Sequence, residues 1–133
     1  NLLAHSLHWF KLQPPNGLFD AEELKYGIHG GEVETSLMLH TWPALVKMEL
    51  AQDFVSLSKK LAEKYKFISP TGSALSFGWQ TQDLNIDGAI GNAAAANAEK
   101  GEQFFEFIAS QVSIMISEII ELPFEILKRP ELD

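Results

Sequence analysis

The stretch Gly27-Ile28-His29-Gly30-Gly31-Glu32-Val33-Glu34-Thr35-Ser36-Leu37-Met38-Leu39 decides how the chain is read, because it passes from a glycine-bearing turn into an apolar helix. Two consecutive glycines let the backbone turn sharply and approach a ligand closely, and they place the His29 imidazole on a loop. Glu32 and Glu34 then fall in the first turns of a helix, where the positive end of the dipole favours carboxylates. Val33, Leu37 and the Leu39-His40 step give that helix one packed side, and Pro43 stops it. A histidine and a carboxylate so placed can divide the work of amide hydrolysis, one holding a metal or water and the other moving a proton. A purely structural turn meets the same pattern: Glu32 or Glu34 would satisfy the first-turn amides, with Thr35 and Ser36 bonding back.

Upstream, Asp20 reads as the N-cap of a short helix with Glu22 and Glu23 in its first turn, ending before Gly27. Pro14-Pro15-Asn16-Gly17 makes a loop and stops the opening apolar stretch, Asn1 to Leu12, whose strand or helix character periodicity does not decide. Downstream, Asp53 is expected to cap a helix carrying the stripe Phe54, Leu57, Leu61 and Tyr65, with Lys59, Lys60, Lys64 and Lys66 on a solvated face. Residues 68–97 lose periodicity and gain Pro70, Gly72, Gly78, Gly88 and Gly91, and loops of that length in compact domains are usually functional or form an interface. Strand candidates are scarce: the opening stretch, and short pieces at 67–69 or 75–77. The strongest element runs from about Ala94 to Leu122, where Phe104, Ile108, Val112, Met115, Ile119 and Leu122 form a stripe of core residues widened by Phe105, Ala109 and Ile116. So broad a face suits a helix lying on a sheet or on a partner subunit.

Composition narrows the function. Ten basic against 18 acidic residues give a net charge of −8, the opposite of a phosphate-tracking surface, so no nucleic-acid partner is expected. The absence of cysteine excludes disulfides, thiolate metal sites and thiol nucleophiles, leaving His, Asp and Glu as the ligands for any metal. Charged residues interrupt the apolar runs, and the expectation is a soluble cytoplasmic protein with no membrane span. Gly88-x-x-Gly91 lacks the lysine of a phosphate loop, and Gly72-Ser73 makes no nucleophile elbow. His5 and His8 stand at i, i+3 with no interleaved carboxylate, which favours packing over metal binding. His40 reads as structural, and Asp83 and Asp87 as turn supports.

The segment from Gly27 to Leu39, followed by Trp42-Pro43-Ala44-Leu45-Val46, resembles the signature of the creatininase (creatinine amidohydrolase) family: His-(Ala or Gly)-Gly-x-x-Glu-Thr-Ser, apolar helix residues, then Pro-x-Leu-Val. A second block agrees in order and spacing. Gly88-Ala89-Ile90-Gly91 and Ala96-Asn97-Ala98-Glu99-Lys100-Gly101 resemble the family's Gly-x-x-Gly and Ala-(Thr or Ser)-x-Glu-Lys-Gly, and the likeness covers residues 19–122. The resemblance implies an α/β protein of three-layer αβα fold, forming homo-oligomers, possible hexamers among them, and acting as a metal-dependent hydrolase of non-peptide or cyclic amide C–N bonds. It implies two divalent ions, Zn, Mn or Fe, that activate water against a small-molecule amide.

By the same likeness His29 contacts substrate and carries a proton to the departing nitrogen, and Glu34 lies at the metal centre as a catalytic or ligating carboxylate. Tyr26, Gly30 and Gly31 are the expected substrate-binding positions. The family's Glu-x-His-Gly-x-His and Asn-Gly-His-x-x-Asn segments, which supply most ligands, do not occur here. The expectation is therefore that residues 1–133 are the C-terminal portion, roughly half, of one creatininase-like domain, with 124–133 a flexible tail. The alternative is a non-catalytic assembly module that keeps this half without a complete metal site.

Overall fold

The computed structural model describes residues 3–127, a mixed arrangement of five helices with a small two-stranded ribbon. The helices are α1 (Ala21–Tyr26), α2 (Glu32–Thr41), α3 (Leu57–Lys64), α4 (Thr81–Leu84) and α5 (Ala98–Glu121), with single turns of 3-10 helix before, between and after them. Strands β1 (Asp53–Phe54) and β2 (Gly91–Asn92) pair antiparallel, Asp53 against Asn92 and Phe54 against Gly91. Isolated bridges add His29 to Ile90 and Ile68 to Leu75.

Local chemistry sets most boundaries. Asp20 caps α1, its carboxylate accepting from the Glu22 amide at 2.7 Å, as its place before an acidic turn predicts. Pro43 follows α2 and opens a 3-10 turn. The expected cap at Asp53 is corrected: Asp53 and Phe54 are extended and paired with β2, and Ser56 caps α3 by accepting from the Ser58 amide at 3.1 Å. Phe54 looked like the first residue of the α3 stripe because sequence spacing does not register a strand pairing 37 or more residues away. The last helix starts at Ala98 rather than near Ala94. Residues Ala93–Ala95 form a 3-10 turn, and the Asn97 side chain caps α5 by accepting from the Lys100 amide at 2.9 Å.

The core gathers where α2 crosses α5. Leu18, Phe19 and Phe104 are buried together, with Val33, Leu37, Phe107 and Ile108 packed around them. Phe104, 2% exposed, meets Phe19 edge to face with centroids 5.4 Å apart, a favoured aromatic geometry. Gly101 lets the two helices close. A Cβ there would collide with the Ser36 carbonyl, and Ser36 itself is fully buried.

Burial of α5 does not continue along its length. The expected core stripe holds for Phe104 and Ile108, whereas Ile119 and Leu122 are exposed and Ile120 is 78% exposed. Beyond Val112 the His5–Leu7 strip forms one wall of an open apolar groove with Met115, Ile116 and Ile119, so this part of the helix is left uncovered among the described residues. By length and composition α5 is also apolar enough to cross a membrane, although charged residues interrupt its apolar runs. The opening stretch, where a strand or helix was left open, forms only the 3-10 turn Trp9–Lys11 among the described residues. Of the expected tail, Phe124–Ile126 is a 3-10 turn, and 128–133 lie outside the described residues.

Candidate functional site

His29 is held by backbone rather than by its ring. The Ile28 and His29 amides donate to the Ile90 carbonyl at 2.9 and 3.2 Å, and the Ile90 amide donates back to the His29 carbonyl at 2.7 Å. Ile90 is fully buried and anchors the pair, which leaves the imidazole exposed. Gly30 follows at φ +65°, a left-handed conformation that glycine adopts without cost, and turns the chain into α2.

Helix α2 begins at Gly31, which has no side chain with which to cap it. A carboxylate from another helix takes that role. Glu23 of α1, 7% exposed, accepts from the Glu32 amide through Oε1 at 2.7 Å and from the Asn92 amide through Oε2 at 2.8 Å. It therefore ties the start of α2 to strand β2. Glycines make room for it: a Cβ on Gly91 would lie 2.8 Å from both carboxylate oxygens and 2.7 Å from the Gly31 Cα. Burial pushes the Glu23 carboxyl above its ordinary value. The Asn92 and Glu32 amides pull it back, the Glu32 charge pushes it up again, and the Val33 amide lowers it.

The same region joins the two sequence blocks. Glu32, 1% exposed, forms an ion pair with Lys100 of α5. Ser36 Oγ accepts from the Asn97 amide at 3.2 Å, so both ends of the α5 first turn are fastened to α2. The Thr35 hydroxyl donates to the Gly30 carbonyl at 3.4 Å and braces the turn after His29. These bonds correct the reading in which Glu32 or Glu34 served the first-turn amides, because Glu23 serves them and Glu32 faces a lysine.

The expected site residues separate into neighbouring places. Half-buried Glu34 lines a groove of about 370 Å³ with Trp9, Phe10, Val33 and Phe104. Tyr26 lines a second groove of about 230 Å³ with Glu22, Asp53, Lys59 and Asn92. Glu23 and Gly27 face both. His29 lines neither, and no hydrogen bond joins it to Glu34 among the described residues. Gly30 and Gly31 shape the turn between them. The Asn92 side-chain oxygen is buried without a hydrogen-bond partner among the described residues. His5 is exposed, His8 pairs with Ser6 and stacks edgewise near Phe10, and His40 packs on Phe105. Asp83 closes a capping box on α4, as a turn support should.

Sequence reasoning missed Glu23, Asn92 and Lys100 as parts of this region. The available signal was the set of glycines at 27, 31 and 91, any of which would put a Cβ against the Glu23 carboxylate. As for metal, no three His, Asp or Glu side chains gather among the described residues. Among the described residues Glu34 has no two further His, Asp or Glu side chains gathered with it, so the residues present do not by themselves fit a metal ion.

A solved structure named "Putative creatinine amidohydrolase from Bacteroides fragilis NCTC 9343" matches with a TM-score of 0.66 and 29% identity over 89% of this chain. The chain spans 43% of the length of that structure's chain. No curated protein matches. The family model described as creatininase, creatinine amidohydrolase, matches residues 1–116, reaching further upstream than the quoted motifs. Residues 1–116 include both fastened blocks, and the chain belongs to the creatininase family.

Proposed function

We propose that this chain is the C-terminal half of a three-layer αβα amidohydrolase that cleaves a non-peptide or cyclic amide C–N bond in a small molecule. What supports the reading is the fastening of two distant motif blocks into one unit, through the His29–Ile90 bridge and the Glu32–Lys100 pair, inside a creatininase family match.

In this reading His29 carries a proton to the departing nitrogen. An exposed imidazole on a backbone-fixed loop can exchange its proton with solvent between turnovers. Glu34, which lines an aromatic groove, would supply a carboxylate to the reaction, and the glycine turn lets substrate approach the backbone. Two divalent ions are part of the proposal as a family property. Their remaining ligands would come from outside this chain. The test is to express the full-length protein with Zn or Mn and assay creatinine, small cyclic amides and formamides. Amide hydrolysis that needs added metal supports the reading, and no turnover of any of them counts against it.

A second reading has its own observation. The exposed apolar length of α5 suits an assembly module acting through contact alone, with further copies of the protein as its partners. Tight stoichiometric metal binding by this polypeptide would contradict that reading.

A further inference from the structure

We propose that Glu23 is the positioning residue of this site, its carboxylate clamping the start of α2 to β2 so that His29 and Glu34 are held in one fixed relation. Three observations carry this. Glu23 is buried yet bonded at both oxygens, to the Glu32 amide on one side and the Asn92 amide on the other. His29 lies three residues before the first attachment point and its bridge partner Ile90 two residues before the second, and Glu34 lies two residues beyond the first. Gly27, Gly31 and Gly91 all leave space that a Cβ would take from this carboxylate, so the fold is built around it.

The chemistry asks for a carboxylate at this place. Two backbone N–H groups converge from different elements, and each needs an acceptor once buried. A glutamine offers one carbonyl oxygen and turns an amino donor toward the other N–H, and an aspartate is one methylene short. Glu23 touches no reacting atom in this account. It acts through the residues it fixes, and its role rests on reading His29 and Glu34 as the working groups.

The test uses the full-length protein, wild type and Glu23→Gln, with two readouts. Amide hydrogen exchange at Glu32 and Asn92 is expected to be at least about tenfold faster in the variant, with exchange around Phe104 unchanged. For whichever amide of the creatinine, cyclic amide and formamide panel is hydrolysed, kcat is expected to fall about 100-fold with little change in KM, the signature of misplacement rather than lost binding. Unchanged exchange at Glu32 and Asn92 overturns the clamp, and so does faster exchange with unchanged kcat. If no amide is hydrolysed, the amidohydrolase reading fails and the exchange result still decides the clamp. Should Glu23→Gln not fold, Gly31→Ala displaces the same carboxylate. Wild-type exchange in that variant would equally overturn the proposal.

Discussion

Lys100→Met in the full-length protein is the perturbation whose cost follows most directly from the geometry. Lys100 is the partner of Glu32, whose side chain is 1% exposed, while the lysine itself keeps about a third of its surface in water, 31%. Removing one member of a buried pair strands the other, typically at about 3–5 kcal/mol. The partial exposure of Lys100 lowers that figure, because water already shares its charge. The expected loss is therefore about 2–4 kcal/mol by urea unfolding at pH 7. Glu32→Gln with Lys100→Met should cost less than the sum of the single changes, because the double variant leaves no uncompensated charge. A Lys100→Met loss below about 0.5 kcal/mol, the scale of a surface pair, or strict additivity in the cycle, would refute the reasoning.

Other outcomes follow from the same contacts. Asn97→Ala removes the α5 cap and should cost about 1 kcal/mol, read as a shift in the urea midpoint, with Asn97→Ser nearly neutral. Gly101→Val drives a side chain into the Ser36 carbonyl and should cost about 1–3 kcal/mol or more by the same measurement, since neither helix can move without opening the core. Burial raises the Glu23 carboxyl in the folded state, so its stabilising contribution is fully present below the unfolded value, near pH 4.5, and is lost as pH rises through the raised folded value. Wild type should accordingly gain stability relative to Glu23→Gln as pH is lowered from 7 toward 4.5, and a pH-independent difference would contradict that sign.

What the sequence made legible was local. The Asp20 cap, the Pro43 stop and the apolar period of α5 each act within one or two helical turns, and each appears where its residues put it. The Ser56 cap was equally local, but a spurious stripe beginning at Phe54 hid it. The site region was legible only as a motif. Its glycines and His29 were visible, whereas the Glu23 bond to Asn92 and the Lys100 pair with Glu32 join residues 69 and 68 positions apart. Such contacts depend on which elements pack together, and neither hydrophobic period nor capping chemistry encodes that. The depth to which α5 is buried was hidden for the same reason: a periodic apolar face shows that something covers it, not whether this chain does.

The central claim, that the His29 turn is the proton-transfer apex of an amidohydrolase, is met most directly by comparing wild type with His29→Ala in the metal-supplied full-length protein, on creatinine and the amide panel. Its exposed position means that alanine should leave the fold intact, with unchanged unfolding midpoints. In the alanine variant kcat is expected to fall about 10²–10⁴-fold, the usual contribution of a positioned general acid or base. Equal hydrolysis by the two proteins would contradict it.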